Sequence, residues 1–265
     1  MPTLPERGKI AAAEIAFYIP IALVTIVLVA RYAFRRDAGW LFLFVYSLIR
    51  ITNGALLVAA YEVSPPNLEL FRAAVALDIA ALAFLILATI GFLGLVGQYA
   101  FSESNRTIRI FRVIGLLALA ALAISVAGAV QSNDPQNDGA RHTGTILRRV
   151  GAVLYAVLWV VLFLTHIVCY SYRHHVLPER RTLLRGITLA LLLIGVRVAY
   201  AIMNAWSAAD ELGFEPSANA TLRRFNINTG EWQMWLILDL VMEYAATLVY
   251  LLSSTLIPLR KDGTM

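Results

Sequence analysis

Seven long apolar stretches, each cut off by charged or turn-forming residues, dominate the pattern of this chain. They fall near residues 10–33, 39–61, 70–96, 108–130, 147–172, 183–206 and 233–258. A bilayer core about 30 Å thick needs roughly 20 apolar residues per helical crossing, and each stretch is that long. The separating segments are short and polar: Arg35-Arg36-Asp37-Ala38-Gly39, Ser64-Pro65-Pro66-Asn67, Ser102 to Arg106, Ser132 to Gly139, His174 to Arg181, and a longer one from Ala208 to Gly230. The pattern predicts an all-α fold, a single transmembrane domain over residues 1–265 built as a bundle of seven helices. No internal repeat or low-complexity segment interrupts it.

Arginines set the expected orientation. They collect after span one (Arg35, Arg36), after span three (Arg106, Arg109), after span five (Arg173, Arg180, Arg181) and, with Lys261, at Arg260. The positive-inside rule makes these surfaces cytoplasmic. The opposite loops hold Glu62, Glu69, Asp134, Asp138, Asp210, Glu211 and Glu215, although Arg148, Arg149, Arg223 and Arg224 dilute the contrast. The N-terminus is therefore expected outside or lumenal and the C-terminus cytoplasmic. Asn219-Ala220-Thr221 is a glycosylation sequon on the lumenal side of this scheme, whereas the sequon at Asn105 falls on the cytoplasmic side. Trp40, Trp206, Trp232 and Trp235 sit at span ends, where interfacial rings belong.

Composition agrees with a lipid environment. The chain is 60% hydrophobic and 15% charged, and its mean hydropathy is +0.72. The net charge of +5 comes mostly from arginines at the edges of apolar segments, a placement that suits anionic lipid headgroups and not nucleic acid. The first apolar segment is longer than a signal-peptide core and is expected to remain as a helix. With one cysteine, Cys169, there is no intrachain disulfide.

Ionisable residues inside the apolar stretches change the picture from generic to chemical. Charges at membrane depth are costly unless paired or hydrated, and they mark functional sites by default. Glu14, Arg50, Asn53, Asp78, Arg197, Tyr200, Asn204, Asp239 and Glu243 all fall in the same half of their spans, with Arg50, Asp78, Arg197 and Glu243 roughly 12 to 17 Å from the helix ends at ~1.5 Å per residue. Asp239 and Glu243, four apart, share a helix face. Four carboxyls accompany two guanidiniums, so a carboxyl in excess over its cations can hold a proton and act as a general acid. The candidate catalytic acids are Glu243 first, then Asp239 and Asp78. Arg50, Asn53, Arg197, Tyr200, Asn204 and Tyr244 are the candidate substrate-binding residues. The plainer alternatives are that Arg50 and Arg197 form pairs with Asp78 and Glu243 that only lock helix packing, and that Glu14 is a solvated acid at a helix start. Tyr155 and Trp159, with Tyr200 and Tyr244, are candidates to shield developing cations. Gly91 and Gly94 are expected to allow close helix contact.

Several classes are disfavoured. His166, Cys169 and Tyr170 lack a further ligand for a metal site, and no metal or cofactor is expected. The only lysines, Lys9 and Lys261, lie near the chain ends, which excludes an intramembrane Schiff base. No Asp-Arg-Tyr or Asn-Pro-x-x-Tyr switch, nucleophile elbow, zincin helix or phosphate-binding glycine loop is present. Asn133-Asp134-Pro135-Gln136-Asn137-Asp138 reads as a solvated turn.

Pro5-Glu6-Arg7-Gly8 through Tyr18-Ile19-Pro20, Gly39-Trp40-Leu41-Phe42 and Ser47-Leu48-Ile49-Arg50-Ile51 resemble a group of fungal seven-helix membrane proteins over most of the chain. In size, helix count and intramembrane acids the chain also resembles the integral membrane terpene cyclases of fungal meroterpenoid pathways, although their Trp-Glu pattern is absent. That second resemblance implies a multi-pass protein of the endoplasmic reticulum that protonates the epoxide of a lipophilic prenylated substrate and drives ring closure without metal or cofactor. Its expected partners are that prenylated epoxide and membrane lipids, with no nucleic acid. A transporter of lipophilic compounds and a seven-helix ligand sensor are the alternatives.

Overall fold

In a computed structural model the chain is all-α. The structure describes residues 4–32, 38–63, 68–100, 105–131, 138–175, 178–208, 217, 219–227 and 229–255. Six long helices come first: α1 (Glu6–Tyr32), α2 (Ala38–Glu62), α3 (Leu68–Ala100), α4 (Asn105–Gln131), α5 (Asp138–Ser171) and α6 (Pro178–Ala205). A short α7 (Ala220–Arg223) follows, and the last span is composite: α8 (Trp232–Trp235), a π-helical segment (Leu236–Val241) and α9 (Met242–Thr255). Seven stretches are long and apolar enough to cross a bilayer: Glu6–Arg31, Ala38–Glu62, Glu69–Val96, Arg109–Gln131, His142–Ser171, Arg181–Ala205 and Trp232–Ser253. The protein is thus a multi-pass integral membrane protein with a seven-helix bundle.

Helices overrun the apolar stretches where polar residues continue the backbone ladder beyond the hydrocarbon. The fifth helix begins at Asp138 rather than near 147, because hydropathy marks where lipid begins and not where hydrogen bonding begins; there the Thr143 Oγ1 hydroxyl donates to the Gly139 carbonyl at 2.9 Å. Pro20 lies inside α1 without ending it, as membrane helices tolerate. The charges at Arg35, Arg36, Asp37, Asp134, Asp210, Glu211, Glu215, Arg260 and Lys261, the turn at Ser64 to Asn67 and the Asn133 to Asn137 run lie outside the described residues, as do the side chains of Arg106 and Arg180.

Successive helices pack side by side from α1 to α6, and α6 closes on α9, while α3 also touches α5 and α6 from the middle of the bundle. Small residues make this central position possible: Ala74, Ala81, Ala83 and Ala88 of α3 are all buried. Lipid offers no hydrophobic drive between helices, so close backbone approach must supply dispersion energy instead. Gly91 meets that need, since a Cβ there would lie 2.5 Å from the Gly39 nitrogen of α2. Gly54 does the same against the Ala11 carbonyl of α1, at 2.9 Å. A Cβ at Gly94 would meet only Phe111, at 4.0 Å, so Gly94 is not a tight crossing. Outward faces carry Phe17, Leu23, Val27, Leu116, Val157, Leu164, Leu189, Leu192 and Leu252 exposed, an apolar exterior far beyond what water tolerates.

The helices alternate in direction. The starts of α1, α3, α5 and the last span therefore share one end of the bundle, the upper end, with the finishes of α2, α4 and α6. Arg7 ties α1 to the segment that precedes the last span: its Nη1 donates to the Ile227 carbonyl and its Nη2 to that of Gly230 at 2.6 Å. Asn204 at the end of α6 holds the same segment, its Oδ1 accepting from the Ile227 N–H at 3.2 Å. These bonds fix the first, sixth and seventh spans around the space where the ionisable residues meet.

Candidate functional site: a guanidinium–carboxyl core in the membrane

Arg50 of α2 stands at the centre of the upper half of the bundle and is fully buried. A guanidinium offers five N–H donors, and Arg50 places all five. Nε donates to Glu243 Oε2 at 2.8 Å. Nη1 serves Asp78 Oδ1 at 2.9 Å and Glu14 Oε1 at 3.3 Å. Nη2 serves Asp239 Oδ1 at 3.0 Å and makes a second, short bond to Glu243 Oε2. One side chain thereby joins the first, second, third and seventh spans.

Arg197 of α6 adds the sixth. Its Nε donates to Glu243 Oε1 at 2.7 Å and lies 2.7 Å from Asp239 Oδ1, while Nη2 donates to Asp78 Oδ2 at 3.0 Å. Its guanidinium carbon sits 5.6 Å from the Tyr200 ring centroid, a cation–π contact one turn along the same helix. Glu14, Asp78, Asp239 and Glu243 are all buried, from 0% to 4% exposed, which rules out the solvated helix-start reading of Glu14.

The four carboxyls are not equivalent. Both oxygens of Glu243 and both of Asp78 accept bonds from guanidiniums, and Glu243 Oε2 also accepts from the Tyr46 hydroxyl at 2.8 Å. Asp239 Oδ2 and Glu14 Oε2 are buried without a hydrogen-bond partner. Four carboxyls against two guanidiniums leave a charge of two in excess if all ionise. A proton on a carboxyl oxygen fits best where that oxygen does not already face a donor, at Asp239 and Glu14. Asp239 sits in the π-helical segment, an irregularity often found where a helix must re-aim a side chain at a functional site.

Tyr18 and Tyr46 extend the network. Their hydroxyls lie 2.7 Å apart, so an oxygen chain runs from Tyr18 through Tyr46 to Glu243. On the side of Tyr18 the first and seventh spans leave an apolar groove of about 400 Å³ lined by Ile10, Ala13, Glu14, Phe17, Tyr18, Leu236, Leu240, Val241 and Tyr244. A second, small cavity of about 30 Å³ touches Asp78 and Arg197 and is bounded by Ser125, Arg148, Tyr155 and Asn204 among apolar side chains. The Ser125 and Tyr155 hydroxyls contact one another but make no well-aligned hydrogen bond, and a cavity of about 30 Å³ has room for one water molecule.

The structure thus draws Arg50, Asp78, Arg197, Asp239 and Glu243 into one constellation. Tyr244 lies away from the ion pairs, in the groove. Tyr200 is buried, its hydroxyl unpartnered and its ring 6.4 Å from that of Phe225. Asn53 is buried with Oδ1 unpartnered, and Asn204 holds the chain before the last span while lining the small cavity. Trp159 is packing: Nε1 donates to the Leu191 carbonyl at 2.8 Å and the ring stacks on Phe163. His166 bonds Thr188 at 2.9 Å. Among the described residues no group of three or more His, Cys, Asp and Glu side chains is arranged to hold a metal ion.

Sequence reasoning left out Tyr18 and Tyr46 and underrated Glu14. A signal was present: Glu14 and Tyr18 are four apart on α1, as are Tyr46 and Arg50 on α2, so each pair shares a helix face.

A seven-helix integral membrane protein with a buried guanidinium–carboxyl core is the class these observations define. The chain belongs to the DUF7702 family, a domain of unknown function, which it matches over residues 4–258. No curated protein and no solved structure matches it.

Proposed function

We propose that this protein is a metal-independent intramembrane isomerase of the terpene cyclase type, in which a buried carboxylic acid protonates the epoxide of a lipophilic prenylated substrate. The observation that carries the reading is the surplus of carboxyls over guanidiniums, with Asp239 Oδ2 and Glu14 Oε2 left unpartnered while every donor of Arg50 is committed. This pattern moves the preferred donor from Glu243 to Glu14 or Asp239. Glu243 and Asp78 act as the anionic partners of Arg50 and Arg197.

In the reaction, the acid proton passes to the epoxide oxygen as one C–O bond breaks and an alkene π pair forms the new ring bond. The epoxide oxygen stays on its other carbon as a hydroxyl. The final carbocation loses a proton, which restores the carboxylic acid, so the product has the mass of the substrate. Phe17, Tyr18 and Tyr244 line the groove and offer π faces to the developing cation.

The test uses membranes carrying the protein and a prenylated epoxide, read for a product of unchanged mass. General acids contribute about 10²- to 10⁴-fold, so Glu14→Gln or Asp239→Asn is expected to lower turnover by at least about 100-fold while the protein still folds. Parental turnover in Glu14→Gln, Asp239→Asn, Asp78→Asn and Glu243→Gln alike would sink the acid mechanism.

The buried, charge-rich core also admits a second reading, a translocator in which these acids relay protons, since ionisable residues at membrane depth mark such relays. Proton-coupled uptake of a lipophile into vesicles, without chemical change, would establish it instead. For orientation, the arginine distribution supports placing the upper end in the lumen of the endoplasmic reticulum.

A further inference from the structure

We propose that the groove between α1 and the seventh span is the binding site of a long-chain lipophile that enters sideways from the bilayer and sets a hydrogen-bond-accepting oxygen against Glu14. The groove stands on its own geometry; only the identity of the polar end as an epoxide rests on the isomerase reading.

The position of the groove identifies its source of ligand. α1 packs along α2, but between α1 and the last span the wall is open toward the apolar exterior, where Phe17 and Val241 are 58% and 46% exposed. Its lining is apolar apart from Glu14, the Tyr18 hydroxyl being turned inward to Tyr46, and about 400 Å³ lies in the range of small-molecule sites. A hydrophilic solute has no favourable path to such a wall. A chain already dissolved in the bilayer does.

Glu14 identifies the polar end. It lies eight positions after Glu6, about 12 Å along the axis at ~1.5 Å per residue, in the hydrocarbon rather than at the headgroups. Its Oε1 faces Arg50, whereas Oε2 is buried with no partner, a costly arrangement that a ligand oxygen would relieve. A protonated carboxyl donates, so the fitting group is an acceptor: an epoxide, carbonyl or ether oxygen. An ordinary phospholipid brings only methylenes to this depth and leaves Oε2 unsatisfied. The far wall is aromatic: Tyr244 stands edge-on to Phe17 and to Tyr18, with centroids 5.6 and 5.7 Å away, and favours an unsaturated chain over a saturated one.

The experiment uses the full-length protein in nanodiscs with two photoactivatable probes, a farnesyl aryl ether bearing a terminal epoxide and a diazirine, and a diazirine-tagged phosphatidylcholine. The epoxide probe is expected to label the stretches around Ala13 to Phe17 and Leu236 to Val241. Ala13 is exposed on the groove wall, so Ala13→Trp fills the groove without disturbing the core and should cut that labelling about ten-fold with an unchanged melting temperature, since a pocket must be open to bury its ligand. Glu14→Leu, which removes the donor, should weaken the epoxide probe and leave the phospholipid probe unaffected. Labelling elsewhere, insensitivity to Ala13→Trp, or equal labelling by the phospholipid would overturn the site. Groove labelling without product formation sustains the site and defeats the isomerase; product formation with labelling confined elsewhere does the reverse.

Discussion

Arg50 and Glu243 meet twice: Nε and Nη2 of the arginine both donate to the same oxygen, Glu243 Oε2, across 193 positions of chain. This contact joins the second span to the seventh at the deepest point of the polar core. Its two residues are fully buried, so neither charge has an alternative partner in water.

Removing Arg50 alone strands carboxylates in the membrane. Breaking a buried ion pair from one side costs about 3–5 kcal/mol, and Arg50→Leu is expected to lower the melting temperature in detergent sharply or abolish purification. Arg50→Lys should recover little, since three donors cannot replace five in a fixed fork. The double variant Arg50→Leu with Glu243→Leu should be more stable than Arg50→Leu alone. Additive losses in that double variant would disprove the pairing.

Glu243 and Glu14 should separate stability from turnover. Glu243 accepts from Arg50, Arg197 and Tyr46, so Glu243→Gln, which turns acceptors toward donors, is expected to cost about 1–3 kcal/mol of stability. Glu14→Gln changes one long contact, at 3.3 Å, and one unpartnered oxygen. Its melting temperature should stay near parental. Equal destabilisation by the two amides would contradict the inequivalence of the carboxyls.

The small cavity beside Asp78 should be wet. Ser125 Oγ and the Tyr155 hydroxyl have no well-aligned hydrogen bond there beyond their mutual contact, and an unsatisfied buried hydroxyl costs about 1–3 kcal/mol. A high-resolution cryo-EM map is expected to show ordered water within hydrogen-bonding distance of one of them, and Tyr155→Phe should weaken that density. An empty cavity in such a map would refute the point.

Asn219 reports the orientation. The residue is exposed at the start of α7, its Oδ1 accepting from the Thr221 N–H at 3.0 Å. Expression in a eukaryotic host should give a glycosidase-sensitive mass shift that Asn219→Gln removes. A cytoplasmic reporter signal from the same segment would reverse the proposed topology.

What sequence determined by itself is the solvent and the number of crossings, because the bilayer demands about 20 apolar residues per helix whatever the helices pack against. It also exposed Arg50, Asp78, Arg197, Asp239 and Glu243, since an ionisable residue inside such a stretch stands out by its cost alone. Tertiary structure decided the rest. Glu14 reads as an interfacial acid until α1 is laid against α2 and its carboxyl turns to Arg50. Tyr18 and Tyr46 read as ordinary aromatics until their hydroxyls meet across those helices. The π-helical segment that carries Asp239, and the groove between the first and last spans, leave no periodic trace, because both depend on how helices distant in the chain are rotated against one another around α3.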